Sequence, residues 1–192
     1  MASPDPLLHL VAGPNGAGKT TLAARVIAPV THLPFVNADV IAAERWPLAQ
    51  AEHAYDASQV AAQVRQELIA ARSSFISETV FSHPSKLVLI HDAQDAGYHV
   101  TLHVVLVPED TTVARVHDRV RRGGHTVPEE KIRQRYRRIW DLVAQGRTRA
   151  DRTYFYDNSR AARPLRLIAS YERGRLVGTA VWPDWAPEGL RP

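Results

Sequence analysis

The sequence has 192 residues, of which 45% are hydrophobic and 23% are charged, as is typical of a soluble globular protein. It contains no cysteine, which excludes disulfides, a thiol nucleophile and thiolate metal sites, and no apolar run approaches the roughly 18 residues of a membrane span. The formal net charge is +4, with much of the excess in residues 115 to 138. At the start of the chain no basic segment precedes an apolar stretch, so we expect no signal peptide and a cytoplasmic location.

The first motif is a glycine-rich loop between an apolar run, residues 7–12, and a helix-compatible run, residues 21–27. Glycines allow the backbone N–H groups of such a loop to converge on phosphate oxygens at a helix N-terminus. We expect the loop and Thr21 to bind ATP (or GTP), with Lys19 reaching the phosphates and Thr20 holding Mg²⁺. The loop matches G-x-x-x-x-G-K-[ST] through Gly13, Pro14, Asn15, Gly16, Ala17, Gly18, Lys19 and Thr20.

Two carboxylates lie near the ends of predicted strands. Residues 34–39 predict a short strand that ends at Asp39, and residues 74–79 predict another that ends with Glu78 and Thr79. Ligands bind at the carboxyl edge of open α/β sheets, so either acid can face a substrate. The alternative is that Asp39 only caps the following helix and that Glu78 is a capping or loop residue.

Two helices and a strand are predicted in the middle of the chain. Residues 56–72 and 84–96 predict the helices, and residues 98–107 form the clearest buried strand. Glu109 and Asp110 follow this strand. They fit either a Walker B acid that holds Mg²⁺ through water or the first turn of the next helix.

A basic segment follows, at about residues 115–140. Two arginine-rich helices joined by Gly123 and Gly124 predict a lid that closes over nucleotide phosphates and excludes water. The alternative is a solvated cationic face. Nucleotide phosphates explain the positive charge as well as nucleic acid would.

The last predicted elements are strands. Residues 152–159 predict a fifth strand, and residues 165–171 and 176–181 predict a β-hairpin. With the loop and the earlier strands, they predict a single α/β domain over residues 1–192. Its fold is that of a P-loop kinase, with a mainly parallel five-stranded sheet, helices on both faces, an arginine-rich lid and the C-terminal hairpin.

The order of these motifs resembles the zeta-toxin family of P-loop kinases over nearly the whole chain. The resemblance is carried by the phosphate loop, residues 37–39, 77–79 and 156–159, and the arginines between 119 and 138. It implies ATP or GTP with Mg²⁺, UDP-N-acetylglucosamine as acceptor in the characterised toxins, and an antitoxin protein as partner. Val40 and Ile41 stand where the toxins usually have an aromatic residue and an arginine, as in a compact branch whose acceptors are mostly unassigned.

The resemblance also implies residue roles. Asp39 matches the base that activates the acceptor hydroxyl, and Glu78 with Thr79 matches the lining of the sugar pocket. Arg119, Arg122 and Arg135 match the lid arginines, which together with Lys19 contact the phosphates.

The expected function is therefore transfer of the γ-phosphoryl group from ATP to the hydroxyl of a small molecule. A nucleotide or polynucleotide kinase is one alternative, in which the basic segment would hold acceptor phosphate. An ATPase-only regulatory module is another, but it would need no carboxylate on the acceptor side. We expect neither nucleic acid nor a membrane as partner.

Overall fold

The computed structural model describes residues 5–121, apart from the side chain of Arg119, and residues 128–191. Within this part of the chain seven strands form one sheet in the order β2-β3-β1-β4-β5-β6-β7. The strands are β1 (Leu7–Ala12), β2 (Phe35–Val36), β3 (Phe75–Thr79), β4 (His99–Leu106), β5 (Arg152–Asp157), β6 (Arg166–Glu172) and β7 (Arg175–Val177).

Strands β1 to β5 pair in parallel, whereas β5, β6 and β7 pair antiparallel. The predicted fold is thus confirmed, with five parallel strands and a terminal hairpin that extends the same sheet to seven strands. Strands β1 and β4 are buried along most of their length because both faces of the sheet are covered there, as in parallel sheets generally.

The helices lie on the two faces of this sheet. They are α1 (Lys19–Leu22), α2 (Ala28–Thr31), α3 (Ala38–Arg45), α4 (Ala54–Ala70), α5 (Ser85–Asp95), α6 (Glu109–Arg121) and α7 (Glu129–Arg149), with a π-helical stretch, Ala23–Ile27, joining α1 to α2. None of the helices within the described ranges is long and apolar enough to cross a membrane.

Side chains that alternate along each central strand build two apolar layers. Leu8 and Leu10 of β1 pack with α5 and α7, as do alternate residues of β4. Val11 faces the other way and packs with Leu22 and Ile27 of the first helical segment. This period-2 alternation places the helix after the phosphate loop on the face opposite α5 and α7.

The two basic helices are present, and α7 is longer than predicted. Ile139, Trp140 and Val143 of α7 are buried in the main core, so the second half of this helix belongs to the fixed body of the protein. Val113, Val116 and Ile132 pack α6 against the first half. The predicted hinge at Gly123 and Gly124 lies outside the described residues.

Candidate active site

The phosphate loop runs from the end of β1 to Lys19, the first residue of α1. Its glycines have positive φ angles of 144° at Gly13, 74° at Gly16 and 98° at Gly18. A Cβ atom at Gly13 would overlap the carbonyl oxygen of Val105 in β4. The backbone geometry that the motif predicts is therefore present, and any other residue at these positions would be strained.

Lys19 folds back over the loop that precedes it. Its Nζ donates a 3.0 Å hydrogen bond to the carbonyl oxygen of Pro14 and lies 3.7 Å from Oε1 of Glu78. The side chain is nearly buried, at 7% exposure. The lysine ammonium is thus held at the concave side of the loop, next to a carboxylate.

Glu78 is the residue on which this part of the site converges. Its Oε2 atom accepts hydrogen bonds from the hydroxyl of Thr20 at 2.8 Å and from Nδ2 of Asn37 at 2.6 Å. Because β3 is the direct neighbour of β1, with Val11 opposite Glu78, the acid lies beside the phosphate loop at the sheet edge.

A hydroxyl and a carboxylate in contact are the oxygen ligands that Mg²⁺ prefers, so Thr20 and Glu78 fit a metal ion bound with nucleotide phosphates. The Walker B alternative at Glu109 fails on position. Glu109 lies at the start of α6, 3.4 Å from Arg133 and 3.6 Å from Arg137.

The first turn of α3 shows which residue caps this helix. The Oδ1 atom of Asn37 accepts hydrogen bonds from the backbone N–H groups of Asp39 at 2.7 Å and Val40 at 3.4 Å. Capping therefore belongs to Asn37, and the alternative of a capping Asp39 is wrong. The carboxylate of Asp39 is exposed. Asparagine is a common helix-capping residue, so its type was a signal for this role. The sequence analysis missed it because the strand predicted over residues 34–39 included Asn37, whereas β2 ends at Val36.

One cleft of about 650 Å³ joins the phosphate loop to these acids. Its walls come from the loop, the start of α3, one face of α4, the end of β3 and the start of α5. Of the predicted site residues, Asn15, Lys19, Asp39, Glu78 and Thr79 line it. The size is that of a pocket for a small molecule.

Thr20 and Thr21 are exposed in the first turn of α1. The hydroxyl of Thr79 accepts a 3.1 Å hydrogen bond from the backbone N–H of Phe81, which fixes the turn after β3.

Asn158 and Arg115 support the phosphate loop from outside. The Nδ2 atom of Asn158 donates to the carbonyl oxygen of Ala17 at 2.7 Å. Arg115 donates to the carbonyl oxygens of Gly16 and Asn158, both at 3.0 Å. Asn158 follows β5, and Arg115 lies in α6. The sequence analysis gave neither residue this role, because only the folded chain brings them to the loop.

Among the predicted lid arginines, Arg135 is the one whose side chain the structure describes. It is exposed and lines a small cavity with Pro14 and Asn15 of the loop. The side chain of Arg119 and the whole of Arg122 lie outside the described residues. Arg133, by contrast, pairs with Glu129 at 2.8 Å and with Asp110 at 2.9 Å.

This arrangement agrees with a family match that covers residues 1–165 and is described as Zeta toxin. The chain belongs to the zeta-toxin family. The predicted resemblance is thereby confirmed. No match was found among curated proteins.

Solved structures show the same fold at low sequence identity. A chain of the AvrRxo1-ORF1:AvrRxo1-ORF2 complex with sulphate ions is 15% identical, with a TM-score of 0.69 over 90% of this chain and 60% of that chain. A chain of the PezAT toxin-antitoxin system of Streptococcus pneumoniae is 14% identical, with a TM-score of 0.60 over 81% and 69%. A gluconokinase from Sinorhizobium meliloti 1021 is 21% identical, with a TM-score of 0.54 over 85% and 87%. This chain thus spans about 60% of the length of the first of these structures.

Proposed function

We propose that this zeta-toxin family member is a kinase that transfers the γ-phosphoryl group of ATP (or GTP) to the hydroxyl of a small molecule. The observation that carries the proposal is the cleft, which contains both the loop lysine, Lys19, and the exposed carboxylate of Asp39. Phosphoryl donor and acceptor can therefore meet in one cleft.

The loop residues would bind the donor. Backbone N–H groups between Gly13 and Lys19 and the ammonium of Lys19 stabilise the negative charge that spreads over the transferring group. Thr20 and Glu78 would hold Mg²⁺, which when bound neutralises phosphate charge. Arg135, beside the loop, adds a guanidinium on the side of α7.

Asp39 would act as the general base. Because Asn37 caps α3, the carboxylate of Asp39 is not needed for capping and stays exposed at the cleft. It takes the proton of the acceptor hydroxyl while the new O–P bond forms and the bond from the γ-phosphorus to the leaving diphosphate breaks.

The family resemblance supports UDP-N-acetylglucosamine as one acceptor to test. An ATPase-only module remains the competing function, and an acceptor-side cleft with a carboxylate favours the kinase. An antitoxin is the protein partner we propose, because one similar structure is described as a toxin-antitoxin system. The proposed site of action is the cytoplasm.

The test is incubation of the purified protein with γ-labelled ATP, Mg²⁺ and a metabolite panel that includes UDP-N-acetylglucosamine. We expect a labelled acceptor with wild-type protein and none with Lys19→Ala, which should keep the wild-type far-UV spectrum because Lys19 faces the ligand side of the loop. Release of labelled phosphate without any labelled acceptor would instead support the ATPase-only function.

A further inference from the structure

The cleft is also lined by two basic side chains that are distant from the phosphate loop in sequence. Arg65, in the second half of α4, is only 7% exposed, and Lys86, in the first turn of α5, is partly buried. Both line the cleft. Within residues 5–121 and 128–191, neither side chain makes a hydrogen bond or an ion pair.

This arrangement costs free energy in the protein alone. A guanidinium removed from water is destabilised unless an anion pairs with it, and a second cation nearby adds repulsion. Burial lowers the pKa of Arg65, and burial together with the charge of Arg65 lowers the pKa of Lys86. Clustered like charges of this kind are typical of functional sites.

The acids of the cleft do not neutralise the pair. Glu78 already accepts from Thr20 and Asn37 and pairs with Lys19. The exposed Asp39 forms no ion pair with either cation in the part of the chain that the structure describes. A bound anion would supply the compensating negative charge.

The face of α4 that leads to Arg65 carries two polar side chains beside the small residues Ala61 and Ala62. Ser58 and Gln59 lie on it and also line the cleft, and Ser58 is about 10 Å from Arg65 along the helix at the usual rise of 1.5 Å per residue. Hydroxyl and amide groups thus precede Arg65 along the helix. They suit a molecule with a hydroxylated body and a charged end.

We propose that the cleft takes an anionic acceptor, whose carboxylate or phosphate group pairs with Arg65 and Lys86 while one of its hydroxyls faces Asp39. The inference rests on the proposed kinase function and specifies its substrate class. Guanidinium groups bind carboxylate and phosphate alike through paired hydrogen bonds, so the two anions are separated by experiment.

The experiment is calorimetric titration of inorganic phosphate and, separately, of acetate into protein saturated with AMP-PNP and Mg²⁺, which occupies the phosphate loop, at constant ionic strength. Wild-type protein is compared with Arg65→Gln, Lys86→Gln and the control Arg175→Gln, which changes an exposed arginine of β7 at the opposite edge of the sheet. We expect one anion to bind wild-type and Arg175→Gln equally and to bind the two cleft variants at least about tenfold more weakly. The tighter anion identifies the class.

The proposal would be overturned if neither anion binds to wild-type protein, or if Arg65→Gln and Lys86→Gln bind the anions as tightly as wild-type protein does. If Arg65→Gln does not fold, Lys86→Gln decides, since Lys86 is less buried. Failure of AMP-PNP to bind would overturn the kinase function separately. The anion titrations would then be repeated on Lys19→Ala protein without nucleotide, with and without Arg65→Gln.

Discussion

The hydroxyl of Thr20, at the start of α1, donates a 2.8 Å hydrogen bond to the carboxylate of Glu78, at the end of β3. The same carboxylate lies 3.7 Å from the ammonium of Lys19. The hydroxyl, the carboxylate and the loop lysine thus form one connected group. The carboxylate of Glu78 offsets the charge of Lys19, and under the proposed function it would also help Thr20 to hold Mg²⁺.

Replacing this carboxylate by an amide of the same shape tests the metal role. Glu78→Gln keeps an acceptor for Thr20 but removes the negative charge, so we expect the Mg²⁺ concentration for half-maximal turnover to rise by about tenfold or more. Turnover would be measured across a Mg²⁺ titration at fixed ATP. Glu44→Gln, an exposed position on α3, is the control. An unchanged Mg²⁺ dependence would limit Glu78 to the acceptor side of the cleft.

The proposed base, Asp39, and the helix cap, Asn37, are different residues at the start of α3, so their effects on transfer and on stability can be measured separately. Asp39→Asn should lower single-turnover transfer to the acceptor by about 10²-fold or more while thermal unfolding hardly changes, because Asn37 provides the cap. Asn37→Ala should instead cost roughly 1 kcal/mol of stability through loss of the cap. Wild-type transfer by Asp39→Asn would contradict its role as base and make Glu78 the next candidate.

The sequence predicts the phosphate loop, the five parallel strands and the hairpin because these depend on local spacing and on alternation along each strand. It could not place Glu78 next to Thr20, since 58 residues separate them and the contact depends on β3 lying beside β1. The Walker B alternative at Glu109 failed because this residue begins α6 and its carboxylate faces Arg133 and Arg137 of α7, a contact that only the folded chain forms. Arg65 gave no signal either, because a charged residue in an amphipathic helix is ordinarily on the solvated face.

Asn158 supports the loop without lining the cleft, so its effect should be on nucleotide affinity. Asn158→Asp keeps the oxygen that accepts from the backbone N–H of Leu165 at 3.2 Å but loses the donor to Ala17 and places a negative charge at the loop. We expect the Kd for ATP to rise about tenfold, since a buried carbonyl loses its partner at a cost of about 1–3 kcal/mol. Equilibrium binding of a fluorescent ATP analogue measures it. Equal affinity in both proteins would show that the loop keeps its shape without Asn158.

Arg135 and Arg138 are neighbouring exposed arginines of α7, and the former lies beside the loop. An arginine that acts on the transferring phosphoryl group is worth about 10³-fold or more in rate. We therefore expect Arg135→Ala to lower kcat far more than it raises the Kd for ATP, and Arg138→Ala to change neither. Parallel, modest losses in both variants would mean that α7 contributes only a solvated cationic face.

A contact between buried His103 and half-buried His9 predicts how stability depends on pH. The Nε2 atom of His103 lies 3.0 Å from Nδ1 of His9, and its Nδ1 atom lies 3.1 Å from the hydroxyl of Tyr156. Burial, and to a lesser extent the neighbouring His9, lowers the pKa of His103 to about 3. Burial, and then His99, lowers the pKa of His9 as well.

His103 therefore stays neutral in the folded protein, whereas in the unfolded chain it takes up a proton below its ordinary pKa of 6.5. The unfolded state then binds more protons, so stability is complete above pH 6.5 and falls as the pH drops toward 3, by up to about 1.4 kcal/mol per pH unit. Urea unfolding of wild-type protein and His103→Gln between pH 7.5 and 4.5 measures this, and the variant should show the shallower decline. His91→Gln, which changes an exposed histidine of α5, should follow the wild-type curve. Equal slopes for wild type and His103→Gln would contradict a buried neutral His103.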